Sequence, residues 1–403
     1  MSEAATEPDT AATRGWQARC AYIVMAAPNA AVGLTLAAMP PILPELAARL
    51  GGEHTAQLIT SVSGFGMIAG GFFSGRLLER FGIRAFTLLS LVFYGLFGGI
   101  GWFLTSAWLM GASRFLLGIA GVCFSTAALA LTAATFTGAA RSRLIGLQQA
   151  TSQVVNVCAV FIVGALVAVT GWRGAFLLYA AFALALLLAA LAGVRSYPVP
   201  LSEEGAAAGA RRGTDSVRFA RTIGPACALA VLMGILTVIP MAQLPFVLAD
   251  TGQGSPRLVS LVTGVNFVFA AVSAISYAAL KTRYGKRPVF FGGLCSGVLG
   301  IAAMGMVQGL VPFCIAAAFA GFGTGIYNTF VFDHGVEVSP PSHHPRAAGL
   351  LFAVIFFGAA INPLVAAPFE QGFGLHHSLI VMAVVALLCG VPVLQRGRAP
   401  VPA

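Results

Sequence analysis

The chain has 403 residues, of which 58% are hydrophobic and only 9% charged, and its net charge is +10. Soluble domains carry roughly 25% charged residues, so there is too little polar surface here to coat a water-exposed globule, and a soluble enzyme is excluded. The basic excess does not call for nucleic acid, because it follows the membrane topology set out below; the seven cysteines lie nearly all in apolar runs, without metal-ligand or disulfide-framework spacing.

The first 19 residues hold Glu3, Glu7, Asp9, Arg14 and Arg19 and no apolar stretch. The run that follows is too long for a signal peptide and is the first of many, so it is read as a retained first helix. A helix that crosses a bilayer needs about 20 mostly apolar residues. Twelve runs meet that length, at 20–43, 56–78, 85–104, 107–135, 144–170, 173–194, 221–248, 257–280, 288–309, 311–336, 347–369 and 375–394. Between the sixth and seventh, a stretch rich in Pro, Glu, Asp and Arg reads as a solvated linker. The expected fold is an all-α membrane protein with 12 transmembrane helices in two pseudo-symmetric six-helix bundles. These bundles cover 1–194 and 221–403, joined by a cytoplasmic linker over 195–220.

One segment occurs twice. Residues 75–84 (GRLLERFGIR) return at 278–287 (AALKTRYGKR), an offset of 203. The same offset carries the second to sixth runs close to the eighth to twelfth, Gly118 to Gly321, and Arg143 and Gly146 to Arg346 and Gly349. A charged turn between two membrane-length runs, repeated at half-chain distance, indicates two related halves stitched at one membrane face. With the N-terminus inside, 19 of the 23 Lys and Arg fall on the cytoplasmic side; Arg49, Arg173 and Arg257 fall outside and Arg114 lies within a span. That asymmetry places both termini in the cytoplasm.

Twelve spans, a central loop and this duplicated hinge resemble the major facilitator superfamily over essentially the whole chain. The family's hinge pattern after the second helix is matched by Gly75, Leu77, Arg80, Gly82 and Arg84, with Glu79 where the family usually has Asp. Its fourth-helix pattern is matched by Arg114, Gly118 and Gly121, and the Gly-Trp-Arg that often closes helix five by Gly171, Trp172 and Arg173. The resemblance implies the superfamily fold and alternating access, and the short central loop is similar to that of compact twelve-span bacterial exporters. Two features depart from proton-coupled drug antiporters of the family. Of their Gly-Pro-x-x-Gly-Gly element in helix five only Gly164 survives, and helix one offers Asn29, with Glu45 at its outer end, where an acid is common.

Several residues carry candidate functions. Gly75, Glu79, Arg80, Gly82 and Arg84, with Arg283, Gly285 and Arg287 in the second copy, are read as a gating latch at the inner helix ends, because arginine forks pair with carboxylates and helix carbonyl ends; the alternative is a static topology signal. Arg114 is a cation inside a span, a costly placement that demands partners. Asn29 or Thr35 are its expected neighbours, in a coupling or an anchoring role. Asp333, His334 and Glu337 cluster near the inner end of helix ten, and their first-half counterparts include Ala130 and Ala134. They either carry a proton, with His334 tuning Asp333, or pair with Lys281, Arg283, Lys286 and Arg287. Gln149, Gln153 and Asn156 share a helical face and are expected to line a cavity, with Asn29, Ser125, Gln243, Asn266, Thr324, Tyr327 and Asn328 as further lining candidates; helix-to-helix hydrogen bonding is the alternative for each. His343-His344 and His376-His377 fall on opposite membrane faces and cannot share a metal.

These features lead to a secondary active transporter in the cytoplasmic membrane, working as a monomer without cofactor or metal. No Gly-x-x-x-x-Gly-Lys-Ser/Thr loop is present to bind ATP, so protons are the expected driving ion. The sparse buried charge points to a neutral, zwitterionic or amphipathic small molecule. Proton-coupled efflux of a drug-like compound or of a metabolite such as a siderophore is the leading expectation. Import or facilitated passage of a metabolite is the alternative, and a non-transporting membrane sensor is a reading from a different class.

Overall fold

The computed structural model describes residues 9–136, 138–195, 214–338 and 344–395. Thirteen α-helices are seen among them, and no strand. In the first half these are α1 (Asp9–Ala26), α2 (Pro28–Ala37), α3 (Leu43–Leu50), α4 (Glu53–Gly99), α5 (Ala107–Thr135), α6 (Gly138–Thr170) and α7 (Gly174–Gly193). The second half has α8 (Thr214–Ala242), α9 (Leu244–Asp250), α10 (Pro256–Tyr284), α11 (Lys286–Met304), α12 (Leu310–Glu337) and α13 (His344–Gln395). Short 3-10 turns at Pro40–Ile42 and Ile100–Trp102 complete the path.

All twelve apolar runs fall on helical backbone, but α4 and α13 each hold two of them. Gly82 (φ 76, ψ 162) folds α4 back on itself, and Gly374 (φ 75, ψ 165) does the same for α13. Gly285, the second-half match of Gly82, has φ 86 and ψ 162 and separates α10 from α11. This region of backbone space is essentially restricted to glycine. The duplicated hinge is thus a duplicated backbone conformation. The same offset relates Gly171 (φ 73) to Gly374, so the turns after the fifth and eleventh runs also correspond. The seventh run begins earlier than its apolar part suggests, because α8 reaches back to Thr214; residues 196–213 of the expected linker lie outside the described residues.

Prolines break the first and seventh runs at matching places. Pro28 opens α2, Pro40 opens the 3-10 turn, and Pro44 sits in the first turn of α3. Pro240 lies inside the end of α8 and Pro245 opens α9. Each proline removes an N–H that the preceding turn needs, so both runs end in a short, separately directed helix. Two apolar cores result. One is built from Val24 to Val194, joined among the described residues by Phe246 of α9, with Leu375 packed against it; the other runs from Ile223 to Ala386.

Replacing Gly82 or Gly285 by alanine strains the backbone of a hinge. Each substitution is expected to cost about 1–3 kcal/mol, read as a lower thermal unfolding midpoint in detergent. The same change at Gly75, which has open space around it and helical backbone, is expected to raise the midpoint slightly, a gain of no more than about 1 kcal/mol.

Candidate functional site

The two halves meet along two seams, α4 against α13 and α6 against α10. At Gly64 an added Cβ would press on Ala360 of α13, and at Gly164 one would collide with Ser260 of α10. Phe161 fills the space over Gly264. Seven and eleven residues beyond Gly64, on the same helical face, a Cβ added at Gly71 or Gly75 would meet no atom of another element within 4 Å. The other seam behaves alike: Val160 packs with Phe267 and Ala37, whereas Val154 is 62% exposed and Ile275 82%. The halves are therefore packed on the face far from the hinges and splayed toward the hinge face. At the far face Phe246, 2% exposed, is inserted into the first core.

The two hinges differ in chemistry. In the second, Lys281 Nζ donates to both carboxylate oxygens of Asp333, at 2.9 and 2.8 Å, and Tyr277 donates its hydroxyl to Asp333 Oδ2 at 2.9 Å. Lys286 lies 3.4 Å from Asp333 and pairs also with Glu337. His334 stacks on Phe330 with centroids 5.5 Å apart. So the acids of α12 meet the hinge cations of their own half, through Lys281 and Lys286. Arg283 lies over the Tyr284 ring at 5.2 Å. In the first hinge the matching positions are apolar: Leu78 and Ile83 are buried in the core, with Ala130 and Ala134 packed against it. Glu79, Arg80 and Arg84 are exposed there.

Arg114 is fully buried, but its partners are not Asn29 or Thr35. Its Nη2 donates to the carbonyls of Phe97 and Gly98 at 2.9 and 3.0 Å, and Ser113 Oγ accepts from it at 3.3 Å. The guanidinium lies 5.1 Å from the Phe176 ring centroid and 5.0 Å from that of Tyr179. Arg114 thus ties α5 to the last turn of α4 and to α7. Thr35 instead hydrogen-bonds Tyr94 at 3.2 Å, and Tyr179 donates to the Thr35 carbonyl at 3.3 Å.

The polar lining candidates divide into two groups. Asn266 (2% exposed), Thr324 (7%), Tyr327 and Gln243 (both 0%) are packed between helices rather than open to the cleft. Asn266 donates to the Ala317 carbonyl at 3.2 Å, Thr324 and Tyr327 share a 2.9 Å hydroxyl contact, and Gln243 donates to Glu370 at 3.0 Å near the far face. Asn29, Ser125 and Asn328 are half-buried, and Asn328 donates to Thr237 at 3.0 Å while its amide oxygen stays unpartnered among the described residues. Asn156 is buried against Gly33, also with an unpartnered oxygen. The side chains of Gln149 and Gln153 lie outside the described residues. The sequence reading missed Gln148 and Ser152, one residue off that stripe. Gln148 donates to the Met25 carbonyl at 2.7 Å and Ser152 to that of Asn29 at 2.9 Å, on either side of the break at Pro28. That proline was the available signal. A pocket of about 590 Å³ beside the Asp250–His376 pair (2.9 Å) lies at the far face, away from the cleft.

Membrane-length helices in two related halves, closed on one face and splayed on the other, define a multi-pass membrane transporter. The family profile of the Major Facilitator Superfamily matches residues 29–243 and 226–402, and the chain belongs to that superfamily. It is 23% identical over 179 residues to multidrug resistance protein MdtH of Aeromonas salmonicida (strain A449), covering 43% of this chain and 45% of that protein. It is 25% identical over 153 residues to multidrug resistance protein 3 of Bacillus subtilis (strain 168), covering 36% and 30%. The matched part therefore spans less than half the length of these relatives. Among solved structures, a bacterial homologue of the human lysosomal transporter Spinster, inward-facing and unoccupied, superposes with TM-score 0.78 at 13% identity, covering 99% of this chain and 100% of that one. A D-xylose–proton symporter gives TM-score 0.72 at 15% identity, covering 92% and 96%.

Arg114→Ala is expected to lower stability by about 3 kcal/mol or more, since charge-assisted hydrogen bonds contribute about 1.5–3 kcal/mol each. Arg114→Lys, which keeps the charge but loses the fork, is expected to fall between, both read by thermal unfolding in detergent. For the second hinge, Lys281→Asp or Asp333→Lys alone lowers the midpoint, and the double exchange recovers part of it. A recovery of about 1 kcal/mol suits a pair that is about one-third exposed.

Proposed function

We propose that the chain is a secondary active transporter of the cytoplasmic membrane that exports a small organic molecule by alternating access. The observation that carries this reading is the α4 face packed at Gly64 and empty at Gly71 and Gly75. A seam closed at one end and open at the other is what rocking of two bodies about a central site requires. In this reading the bodies are residues 1–194 and 221–403, with 195–220 as the linker. Lys and Arg concentrate on the hinge side, so the positive-inside rule assigns that face and both termini to the cytoplasm. The cleft is then open inward.

Glu79, Arg80 and Arg84, with Gly75 and Gly82 shaping their helix ends, would engage the opposite half when the far face opens. Their exposure in the inward-open arrangement fits a released latch. Arg283, Gly285 and Arg287 form the matching turn. The cleft candidates Asn29, Ser125 and Asn328 are amides and a hydroxyl without a charge among them, which suits a neutral, zwitterionic or amphipathic cargo. The multidrug names of the Aeromonas and Bacillus relatives support export. The loss of all but Gly164 from the antiporter element favours import as the second reading. Proton coupling through Asp333 requires it to exchange its lysine partners for a proton during the cycle. The protein acts as a monomer and performs no covalent chemistry.

The test is flux into proteoliposomes under an imposed pH gradient, scanning neutral, zwitterionic and amphipathic compounds. Saturable, gradient-driven movement is expected, with Asp333→Asn abolishing the gradient-driven part and sparing cargo binding and exchange. Saturable flux that ignores the gradient removes the proton, and uptake rather than export selects the second reading. No saturable flux for any cargo class sinks the transporter proposal.

A further inference from the structure

The two hinges share a backbone but not a surface. In the second, Lys281 and Lys286 are paired within the protein with Asp333 and Glu337, while Arg283 is exposed over the Tyr284 ring. In the first, Arg76, Arg80 and Arg84 are exposed and make no ion pair or hydrogen bond among the described residues; Arg80 only lies over the Phe81 ring at 6.0 Å. Glu79 is the one acid beside them, so the group keeps a net positive charge.

These arginines do not stand alone. Phe72 and Phe73, 75% and 54% exposed, precede Arg76 by four and three residues, and Arg80 follows four later. Residues so spaced share one helical face. That face of α4 reads, toward the hinge, two exposed rings, then two guanidiniums, then Phe81 at 47% exposure. Apolar rings exposed on a membrane-length helix suit lipid hydrocarbon, and an arginine fork matches a phosphate with two parallel hydrogen bonds. The second half keeps Arg283 and Arg287 in place of Arg80 and Arg84 but lacks the rest of the stripe. The positions matching Phe72, Phe73 and Arg76 are Ile275, Ser276 and Ala279.

We propose that the first hinge, and not the second, is a binding site for the headgroup of an anionic phospholipid, with Arg76 and Arg80 on the phosphate, Arg84 adding charge across the turn, and Phe72 and Phe73 against the lipid body. The occupant follows from charge complementarity: unneutralised cations at the end of a membrane-length helix, with lipid-facing rings one turn deeper, fit an anionic headgroup at the leaflet surface. The inference needs only the membrane placement of α4 and is independent of direction, cargo or coupling.

The purified full chain, equilibrated in detergent with equal amounts of dioleoyl phosphatidylglycerol and dioleoyl phosphatidylcholine, is examined by native mass spectrometry for retained lipid. The wild type is expected to retain phosphatidylglycerol preferentially. R76Q/R80Q/R84Q is expected to lose that preference, by about fivefold for each arginine removed, while R283Q changes it less than about twofold. R76K/R80K/R84K, which keeps the charge, is expected to hold an intermediate preference, so that a fold defect in the glutamine variant is told apart from loss of the site. Equal retention of both lipids by the wild type, undiminished phosphatidylglycerol on the glutamine variant, an equal loss in R283Q, or displacement of the lipid by millimolar inorganic phosphate would each overturn the proposal.

Discussion

Hydrocarbon offers no hydrogen-bond partner, so every carbonyl freed by a broken helix must find a donor inside the protein. This constraint bears on several of the buried polar side chains that lie beside helix breaks. Pro28 breaks the first run, and Gln148 and Ser152 of α6 donate to carbonyls on either side of the break. Pro240 lies near the end of α8, and Asn362 of α13 donates to the Ile235 carbonyl at 3.2 Å. The last turn of α4 leaves the carbonyls of Phe97 and Gly98, and Arg114 takes both. The buried guanidinium of Arg114 thus serves as the donor for a helix end through Nη2, while its Nη1 has no hydrogen-bond partner among the described residues. The broken helices in turn form the far-face closure, so the same polar contacts that satisfy the backbone set the shape of the cleft.

The halves keep one backbone plan and fill it with different chemistry. Leu78, Ile83, Ala130 and Ala134 occupy in the first half the places of Lys281, Lys286, Asp333 and Glu337 in the second. An apolar contact has been exchanged for a charged one as a set, two cations arriving with two anions. Either set alone satisfies its surroundings, whereas a mixture would leave ions without counter-ions at the membrane surface. The exchange fixes α10, α11 and α12 to one another through Asp333 and leaves the first hinge with cations turned outward.

Much of the fold was legible in the sequence because its signals are long or stereochemically compulsory. Runs of about 20 apolar residues mark spans, and the glycine repeated at Gly82 and Gly285 marks a backbone conformation that other residues resist. The candidate site was less legible because helix rotation decides it. Gln148 and Gln149 differ by one position, which turns a side chain by about 100°, and only the packing of α6 on α2 says that Gln148 faces the break. Asn266, Thr324 and Tyr327 look like cavity lining by type and spacing, yet they point into contacts among α10, α11 and α12. Arg114 was legible as a residue that needs partners; that these are carbonyls of the preceding helix end depends on how the turn between α4 and α5 closes.

Phe246 sets an energetic scale for the whole assembly. It belongs by chain to the second half and by packing to the core of the first, so in the proposed cycle opening the far face would draw one aromatic ring out of that core. That step would cost about 1.5–3 kcal/mol, a bias of roughly ten- to a hundredfold toward the closed far face, which a ligand offsets only by as much as it binds the other state more tightly. A ligand that prefers the opposite state by only a modest margin is then sufficient to turn the molecule over, and replacing the ring with a smaller side chain would leave both states populated at rest.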